Sequence, residues 1–289
     1  MNFHKPPSTY VRQLTLKVSD LTRSLRFYEE ILGLNVVDRS SNRADLGIAS
    51  DGKVLLALTQ PTQTTPLQAN TTGLYHFAIL LPTREALAQM VIHLTNSGVR
   101  FGSSDHLVSE ALYLSDPDGN GIEIYRDRPQ EEWTWNSDQV KMTVDPLDFA
   151  DLLSGVEPAN EWSGMPAGSI IGHIHLHVAD ISESERFYRD GLHFDVMTRY
   201  GAQASFLATG GYHHHIGINT WQGVGASPPL QSSVGLLHFT LAFPDQSSRT
   251  QVLEDLEQIG ASVMAQNGGF QTVDPAGNVI VLDIDREGR

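Results

Sequence analysis

Apolar and polar residues alternate at four places along the chain, and each place predicts a strand that opens a structural module. The clearest is 172–178, whose apolar side carries Ile174, Leu176 and Val178. Its polar side carries His173, His175 and His177. A stretch with helical spacing of apolar residues follows each strand, and short strand-like runs complete each module. The pattern predicts an α+β protein made of four βαβββ modules.

The four modules form two related halves. Residues 11–36 and 171–196 are versions of one element at an offset of 160, with Val18, Asp20 and Phe27-Tyr28 matching Val178, Asp180 and Phe187-Tyr188. The motif GLYHF at 73–77 recurs as GLLHF at 235–239, and DPDGN at 116–120 recurs as DPAGN at 274–278. A repeat of this kind indicates a duplicated architecture. Equivalent positions that carry different residues can then locate the chemistry.

Turn and capping residues set the expected boundaries. Asp20 and Asp180 can cap the helices of modules one and three, while helices near 84–97 and 247–259 end at glycines. We predict a first domain at 9–128, a connector at 129–168 that matches no module, and a second domain at 169–286. The connector contains a short helical stretch at 146–153 and two tryptophans that we interpret as packing residues, Trp133 and Trp135.

Composition narrows the class of protein. The 289 residues carry a net charge of −15, which argues against nucleic acid or an anionic membrane as a partner. The absence of cysteine excludes disulfides and thiolate metal sites. The N-terminus lacks the apolar stretch of a signal peptide, and no apolar run approaches the ~18 residues of a membrane span. We therefore expect a soluble, cytoplasmic protein.

Histidine and glutamate positions predict a metal site. The third residues of the four opening strands face away from the helices, and they are Gln13, His76, His173 and His238. In the last strand of module two, Glu123 alternates with two isoleucines and faces the same way, whereas Val281 occupies the equivalent position in module four. A divalent transition metal needs imidazole and carboxylate donors that converge on one point. A carboxylate on an otherwise apolar strand is costly to bury without such a partner.

Modules two and three alone carry candidate ligands on both their first and last strands. We therefore expect these two modules to pair and to bring four ligands into one cleft: His76, Glu123, His173 and His215. Strand alternation within 213–215 favours His215 or His213 and leaves the choice between them open. Modules one and four would then form a second cleft without a functional ligand set.

Three further histidines have two readings each. His175 and His177 either support the metal ligands or contact the substrate, or they only line a wet cleft. His106 precedes the strand that leads to the DPDGN turn. It either reaches the mouth of the cleft as a proton carrier or lies in an exposed loop.

Several motifs together resemble one superfamily over nearly the whole chain, from about residue 9 to 286. They are the FYxxxLG-like helix ending, DPDGNGIEIYRDRP, IGHIHLHV and GGYHHHIGINTW. These motifs resemble the vicinal oxygen chelate superfamily, which includes glyoxalase I, extradiol dioxygenases and antibiotic-resistance proteins. Within it, the chain resembles bacterial catechol-2,3-dioxygenase-like proteins. The resemblance implies two tandem domains with mixed sheets that curve around a metal cleft.

The resemblance also implies a chemistry. Ring-cleaving members bind Fe(II) through two histidines and one glutamate, which here would be His76, His173 and Glu123, and cleave a catechol-like aromatic with O₂. Mn(II), Ni(II) and Zn(II) are the other metals to consider. His175, Tyr125, His177 and His215 are candidates for managing protons. A homodimer is compatible with this family.

Two other functions stay open at this stage. One is an oxygen-independent, glyoxalase-type isomerase, lyase or hydrolase, which a fourth protein ligand would favour. The other is a non-enzymatic protein that binds small molecules on the same concave sheet. The inward-facing histidines and glutamate argue against this last reading, and the superfamily fold alone does not decide function.

Overall fold

The computed structural model describes residues 3–49, 52–154, 156, 162–266 and 269–285. The first half contains modules one and two in the expected order. Module one comprises β1 (Tyr10–Lys17), α1 (Leu21–Glu30), β2 (Asn35–Arg39), β3 (Arg43–Gly47) and β4 (Val54–Thr59). Module two comprises β5 (Gly73–Leu80), α2 (Arg84–Asn96), β6 (Gly102–Asp105), β7 (Ser109–Ser115) and β8 (Gly121–Asp127).

The connector and the second half follow. The connector carries β9 (Trp135–Asn136), β10 (Gln139–Val140) and α3 (Phe149–Leu153). Module three comprises β11 (Ile170–His177), α4 (Ile181–Arg186, continued by a π turn at Phe187–Gly191), β12 (Asp195–Tyr200), β13 (Ala204–Ala208) and β14 (Ile216–Asn219). Module four comprises β15 (Gly235–Phe243), α5 (Gln246–Gln258), β16 (Val263–Gln266), β17 (Gly269–Val273) and β18 (Val279–Ile284).

The helix boundaries follow the sequence signals closely. The side chains of Asp20 and Asp180 accept hydrogen bonds from the third residue of the helix that each precedes, as N-caps do. Helices α2 and α5 are followed by Gly98 and Gly260 at φ values of +68° and +82°, which are left-handed conformations that glycine adopts without strain. The two expected glycine stops are confirmed.

Two eight-stranded sheets each take one module from each half of the chain. The first runs β16-β17-β18-β15-β1-β4-β3-β2, and the second runs β12-β13-β14-β11-β5-β8-β7-β6. At the centre of the second sheet, β5 pairs antiparallel with β11. The expected pairing of modules two and three is therefore confirmed. The domain division at 9–128, 129–168 and 169–286 stays a prediction from sequence repeats.

The DPxGN turns tie the two sheets together. The hydroxyl of Tyr28 on α1 donates to Asp116 Oδ2 at 2.9 Å, and the hydroxyl of Tyr188 donates to Asp274 Oδ2 at the same distance. In each pair, the tyrosine follows a strand of one sheet and the aspartate lies in a turn between two strands of the other. The repeated Phe-Tyr and Asp-Pro motifs thus mark a single duplicated contact between modules.

The connector partly closes the second sheet. Asp105 at one edge of this sheet exchanges two backbone hydrogen bonds with Asp145 of the connector, at 2.8 and 3.0 Å, and β10 packs against β12 at the opposite edge. Trp133 is buried and stacks on Phe3 with ring centroids 5.7 Å apart, as expected for a packing residue, whereas Trp135 is 37% exposed.

Among the helices in the described part of the chain, none is long and apolar enough to cross a bilayer.

Candidate metal centre

Three side chains converge in the cleft of the second sheet. His76 Nε2 lies 3.0 Å from Glu123 Oε2, His173 Nε2 lies 3.1 Å from the same oxygen, and the two nitrogens are 3.3 Å apart. All three side chains are buried. The structure therefore brings together three of the four metal ligands predicted from sequence.

Strand register explains why these residues meet. Ala78 on β5 pairs with His173 on β11 and with Glu123 on β8, so these two side chains flank a small residue. His76 lies two positions before Ala78 and therefore on the same face of the sheet. Three donors from three adjacent strands converge because alanine leaves the space between them open.

The protonation states suit a cation. Burial would raise the pKa of Glu123, but His173 and His76 outweigh it, and the pKa of this carboxyl lies well below its usual range. Burial lowers the pKa of His173 to about 4, against the opposing influence of Glu123. At neutral pH the cluster therefore offers a carboxylate and a neutral imidazole at His173, which are the forms that bind metals.

The donor spacing fits a divalent transition metal. An ion bound at roughly 2.0–2.2 Å from each nitrogen and oxygen holds neighbouring ligands about 3 Å apart. The three observed separations are close to that value, and these three residues form the group that could hold an ion within the described part of the chain. Two histidines and one carboxylate are the ligand set of many non-heme Fe(II) sites.

His215 does not join the cluster, so the strand-alternation argument was wrong at this residue. Its Nε2 lies 3.1 Å from the Phe3 carbonyl, and its Nδ1 accepts from the Thr209 amide at 3.3 Å. Alternation fails because β14 begins only at Ile216, so the preceding histidines lie outside the strand. His214, which alternation assigned to the other face, lines the cleft with its ring 4.1 Å from that of His173. His213, the alternative ligand, instead contacts Asp127 Oδ1 at 2.8 Å.

Of the four predicted proton-managing residues, His175 is the one that lines the cavity directly above the cluster. Its ring lies 5.0 Å from that of His76, and burial lowers the pKa of His175 well below its usual value. Its Nε2 lies 2.9 Å from Asn219 Nδ2, while Asn219 Oδ1 lies 2.7 Å from His177 Nδ1. Because the amide donates to Nε2, the ring proton of neutral His175 belongs on Nδ1.

Tyr125 and His177 lie outside this cavity. The Tyr125 hydroxyl is buried behind His173 and lies 2.7 Å from the Tyr212 hydroxyl. A Cβ on Gly172 would lie 1.9 Å from the Tyr125 hydroxyl oxygen, so a glycine is required there. His177 lines two neighbouring pockets instead.

The cleft forms a cavity of about 380 Å³ above the cluster. His106 lines this cavity, which agrees with the expectation that it reaches the cleft and not with an exposed loop position. Its Nδ1 lies 2.6 Å from the Thr143 carbonyl and must donate, so its Nε2 accepts from the Tyr113 hydroxyl at 2.6 Å. Sequence reasoning missed several residues that line the cavity. They include Tyr75, Tyr113, His214, Trp221 and the connector residues Met142 and Val144. The connector could not be assigned from sequence because it matches no module.

The other sheet repeats the geometry without the ligands. Thr240 pairs with Gln13 and Val281, as Ala78 pairs with His173 and Glu123. His238, the counterpart of His76, has its Nε2 3.0 Å from the Thr15 hydroxyl. The cleft of modules one and four therefore lacks the carboxylate and one imidazole, as the sequence predicts.

Sequence comparison identifies the family. The model of the Glyoxalase/Bleomycin resistance protein/Dioxygenase superfamily matches residues 11–124. A catechol-2,3-dioxygenase from Bacillus subtilis (strain 168) is 40% identical over 277 residues, which cover 94% of this chain and 96% of that protein. The chain therefore belongs to this superfamily, and the resemblance seen in its motifs is confirmed.

Solved structures share the fold. A candidate dioxygenase from Bacillus subtilis subsp. subtilis str. 168 has a TM-score of 0.64 at 13% identity, with 96% of this chain and 85% of that one covered. Glyoxalase I from Zea mays has a TM-score of 0.57 at 16% identity, with 96% and 92% covered. At these identities the likeness concerns the fold alone, and it confirms the expected α+β arrangement of tandem modules.

Proposed function

We propose that this protein is an Fe(II)-dependent extradiol dioxygenase that cleaves a catechol-like aromatic with O₂. The observation that carries the proposal is the group of three buried donors, His76, Glu123 and His173, two of which, His76 and Glu123, line an aromatic cavity. The 40% identity to a catechol-2,3-dioxygenase across nearly the whole chain supports the same chemistry.

The number of donors favours this chemistry over the glyoxalase-type alternative. His215 is held by backbone groups on both ring nitrogens, so three protein ligands remain rather than four. Three ligands leave more of an ion's coordination sphere for a diol and for O₂. A bound Fe(II) would supply Lewis acidity and one-electron chemistry.

The protein's own residues would position the diol and manage its protons. His175, fixed through Asn219, would hold a proton at Nδ1 beside the bound ring. Tyr113 and His214 line the same cavity, and Phe206 and Trp221 pack around His175 with ring centroids 5.5 and 5.4 Å away. These aromatic side chains would exclude water and orient a planar substrate.

Oxygen uptake by protein loaded with Fe(II) under anaerobic conditions, then mixed with catechol and aerated, tests the proposal. We expect one O₂ consumed per catechol and a yellow ring-opened product. Protein that retains iron through His76, Glu123 and His173 but consumes no O₂ with any catechol would contradict it. That result would favour the oxygen-independent alternative, a glyoxalase-type isomerase or lyase using Mn(II), Ni(II) or Zn(II).

A further inference from the structure

The cavity above the cluster is larger than a plain diol ring requires. Its volume of about 380 Å³ lies within the roughly 300–1,000 Å³ typical of pockets that hold drug-sized ligands. A single catechol ring held at Glu123 and His76 would occupy only the floor. The remaining space extends toward the connector and β12, where Val144 and Tyr200 lie.

Apolar side chains form much of the wall of this space, beside smaller polar ones such as Ser103, Thr143 and Thr198. Tyr75 packs on Trp221 at 5.2 Å between ring centroids and forms one side. Four large apolar side chains that line the cavity are also exposed, and they are Tyr75 (39%), Trp221 (46%), Tyr200 (57%) and Val144 (67%). Exposed apolar side chains gathered around one opening are typical of a ligand-binding surface.

The cavity offers little to an anionic substituent. Among the described residues, Arg199 is the one arginine or lysine that lines it. Both Nε and Nη2 of Arg199 are 2.8 Å from the carboxylate of Glu185, so its charge is already neutralised. A second carboxylate entering the cavity would lose hydration without gaining an unpaired cation, and the net charge of −15 would oppose its approach.

We propose that the substrate is a catechol whose ring carries an uncharged, bulky apolar substituent, and that this substituent lies against Val144, Tyr200 and Trp221. The inference rests on the proposed dioxygenase function for its reaction. The nature of the substituent is inferred from the cavity alone. It can therefore be tested by measuring binding, without turnover.

The test compares a catechol bearing a phenyl group with one bearing a carboxymethyl group. Fe(II)-loaded protein is titrated with each under anaerobic conditions, and tryptophan fluorescence reports affinity. The kcat/KM values are then measured in air, with plain catechol alongside. We expect the phenyl compound to bind and react at least about tenfold better. Equal values, or a preference for the carboxymethyl compound, would overturn the inference.

A pair of variants locates the substituent. Val144→Lys places a cation at the rim and should reduce the preference for the phenyl compound by about tenfold. Val224→Lys adds the same charge at a residue that is 79% exposed and does not line the cavity, so it should leave the preference unchanged. An equal effect of both substitutions, or none at Val144, would contradict the placement.

The two proposals fail in different ways. If plain catechol consumes O₂ but the two substituted compounds bind alike, the dioxygenase function stands and the substrate inference falls. If no catechol consumes O₂ while the phenyl compound still binds more tightly, the reaction is wrong and the apolar site stands.

Discussion

The Nε2 atoms of His76 and His173 lie 3.3 Å apart, although the two residues come from different halves of the chain. This contact exists because β5 of module two pairs with β11 of module three, so that each half supplies part of one cluster. The first sheet has the same architecture with Gln13 and His238 at these positions. The two sheets therefore provide a matched internal control.

Replacing His76 should abolish metal binding, whereas replacing its counterpart should not. We expect His76→Ala to weaken the affinity for Fe(II) or Zn(II) by at least about 100-fold, since even residues behind a ligand contribute roughly 10–100-fold. His238→Ala removes the equivalent imidazole from the first sheet and should leave the metal content unchanged. Metal content after dialysis measures both. Loss of metal in His238→Ala but not in His76→Ala would place the metal site in the first sheet and contradict the assignment.

Glu123→Gln provides the second half of this comparison. The substitution keeps the shape of the side chain but removes its charge, so metal content should fall as it does in His76→Ala. The control is Val281→Ala, which changes the equivalent position in the first sheet. Normal metal content in Glu123→Gln would contradict the assignment of this carboxylate.

His215→Ala should affect stability rather than metal binding. The ring is buried and contacts the Phe3 carbonyl and the Thr209 amide, which would both lose a partner. We expect a loss of about 2–3 kcal/mol in the free energy of unfolding. Metal content should stay at the wild-type level. Urea denaturation and metal analysis on the same sample check both parts, and a variant of normal stability that loses its metal would restore His215 as a ligand.

His175→Gln should separate turnover from metal binding. The side chain lines the cavity but is not one of the three clustered donors, so metal content should be retained. Loss of a positioned proton carrier should lower kcat by about 100-fold. Thr15→Ala changes the corresponding position in the first sheet and serves as the control. An unchanged kcat in the His175 variant would remove this residue from the proposed mechanism.

Sequence reasoning was accurate inside the strands. His173, His76 and Glu123 lie inside β11, β5 and β8, and strict alternation assigned their faces correctly. His215 lies just before β14, at a bend in the backbone, so the same rule failed. Tyr125 has the same orientation as Glu123, but alternation does not reveal that His173 lies between it and the cavity.

The cavity walls were beyond prediction from the repeats. Val144 and Met142 belong to the connector, and no repeat equivalent indicates where this segment packs. Asn219, which bridges His175 and His177, lies at the end of β14 and has no distinguishing pattern around it. Contacts of this kind depend on tertiary packing between segments distant in sequence.

The paired tyrosines should make similar contributions to stability. In Tyr28→Phe the buried hydrogen bond to Asp116 is lost, and in Tyr188→Phe the equivalent bond to Asp274 is lost. Each variant should lose about 2 kcal/mol in the free energy of unfolding, because a buried acceptor is left with one partner fewer. Tyr200→Phe removes a hydroxyl from an exposed side chain and should change stability by less than about 0.5 kcal/mol. Denaturant unfolding of the three variants tests the comparison, and equal stability in all three would contradict it.

Glu110 should account for part of the acid sensitivity of the fold. Its buried carboxylate receives hydrogen bonds from Arg84, Arg126 and Arg128, with closest distances of 2.9, 2.7 and 3.4 Å. Burial would raise the pKa of Glu110, but these arginines outweigh it and hold the pKa below its usual value of 4.5. As the pH falls below this value, the unfolded chain takes up the proton first. The stabilisation is therefore complete above pH 4.5 and is lost as the pH falls through the lower pKa of the folded state.

Glu110→Gln tests this pH dependence directly. At pH 7 the variant should be about 3 kcal/mol less stable than wild type. This value is at the lower end of the range for breaking a buried ion pair, because solvent screens the partly exposed Arg84 and Arg128. The difference from wild type should shrink as the pH falls below the usual glutamate pKa. Glu30→Gln removes an exposed carboxylate that pairs with Arg26 and provides the control, with little effect at any pH. Urea unfolding of the three proteins across this pH range measures the difference, and a constant gap between wild type and Glu110→Gln would contradict the lowered pKa.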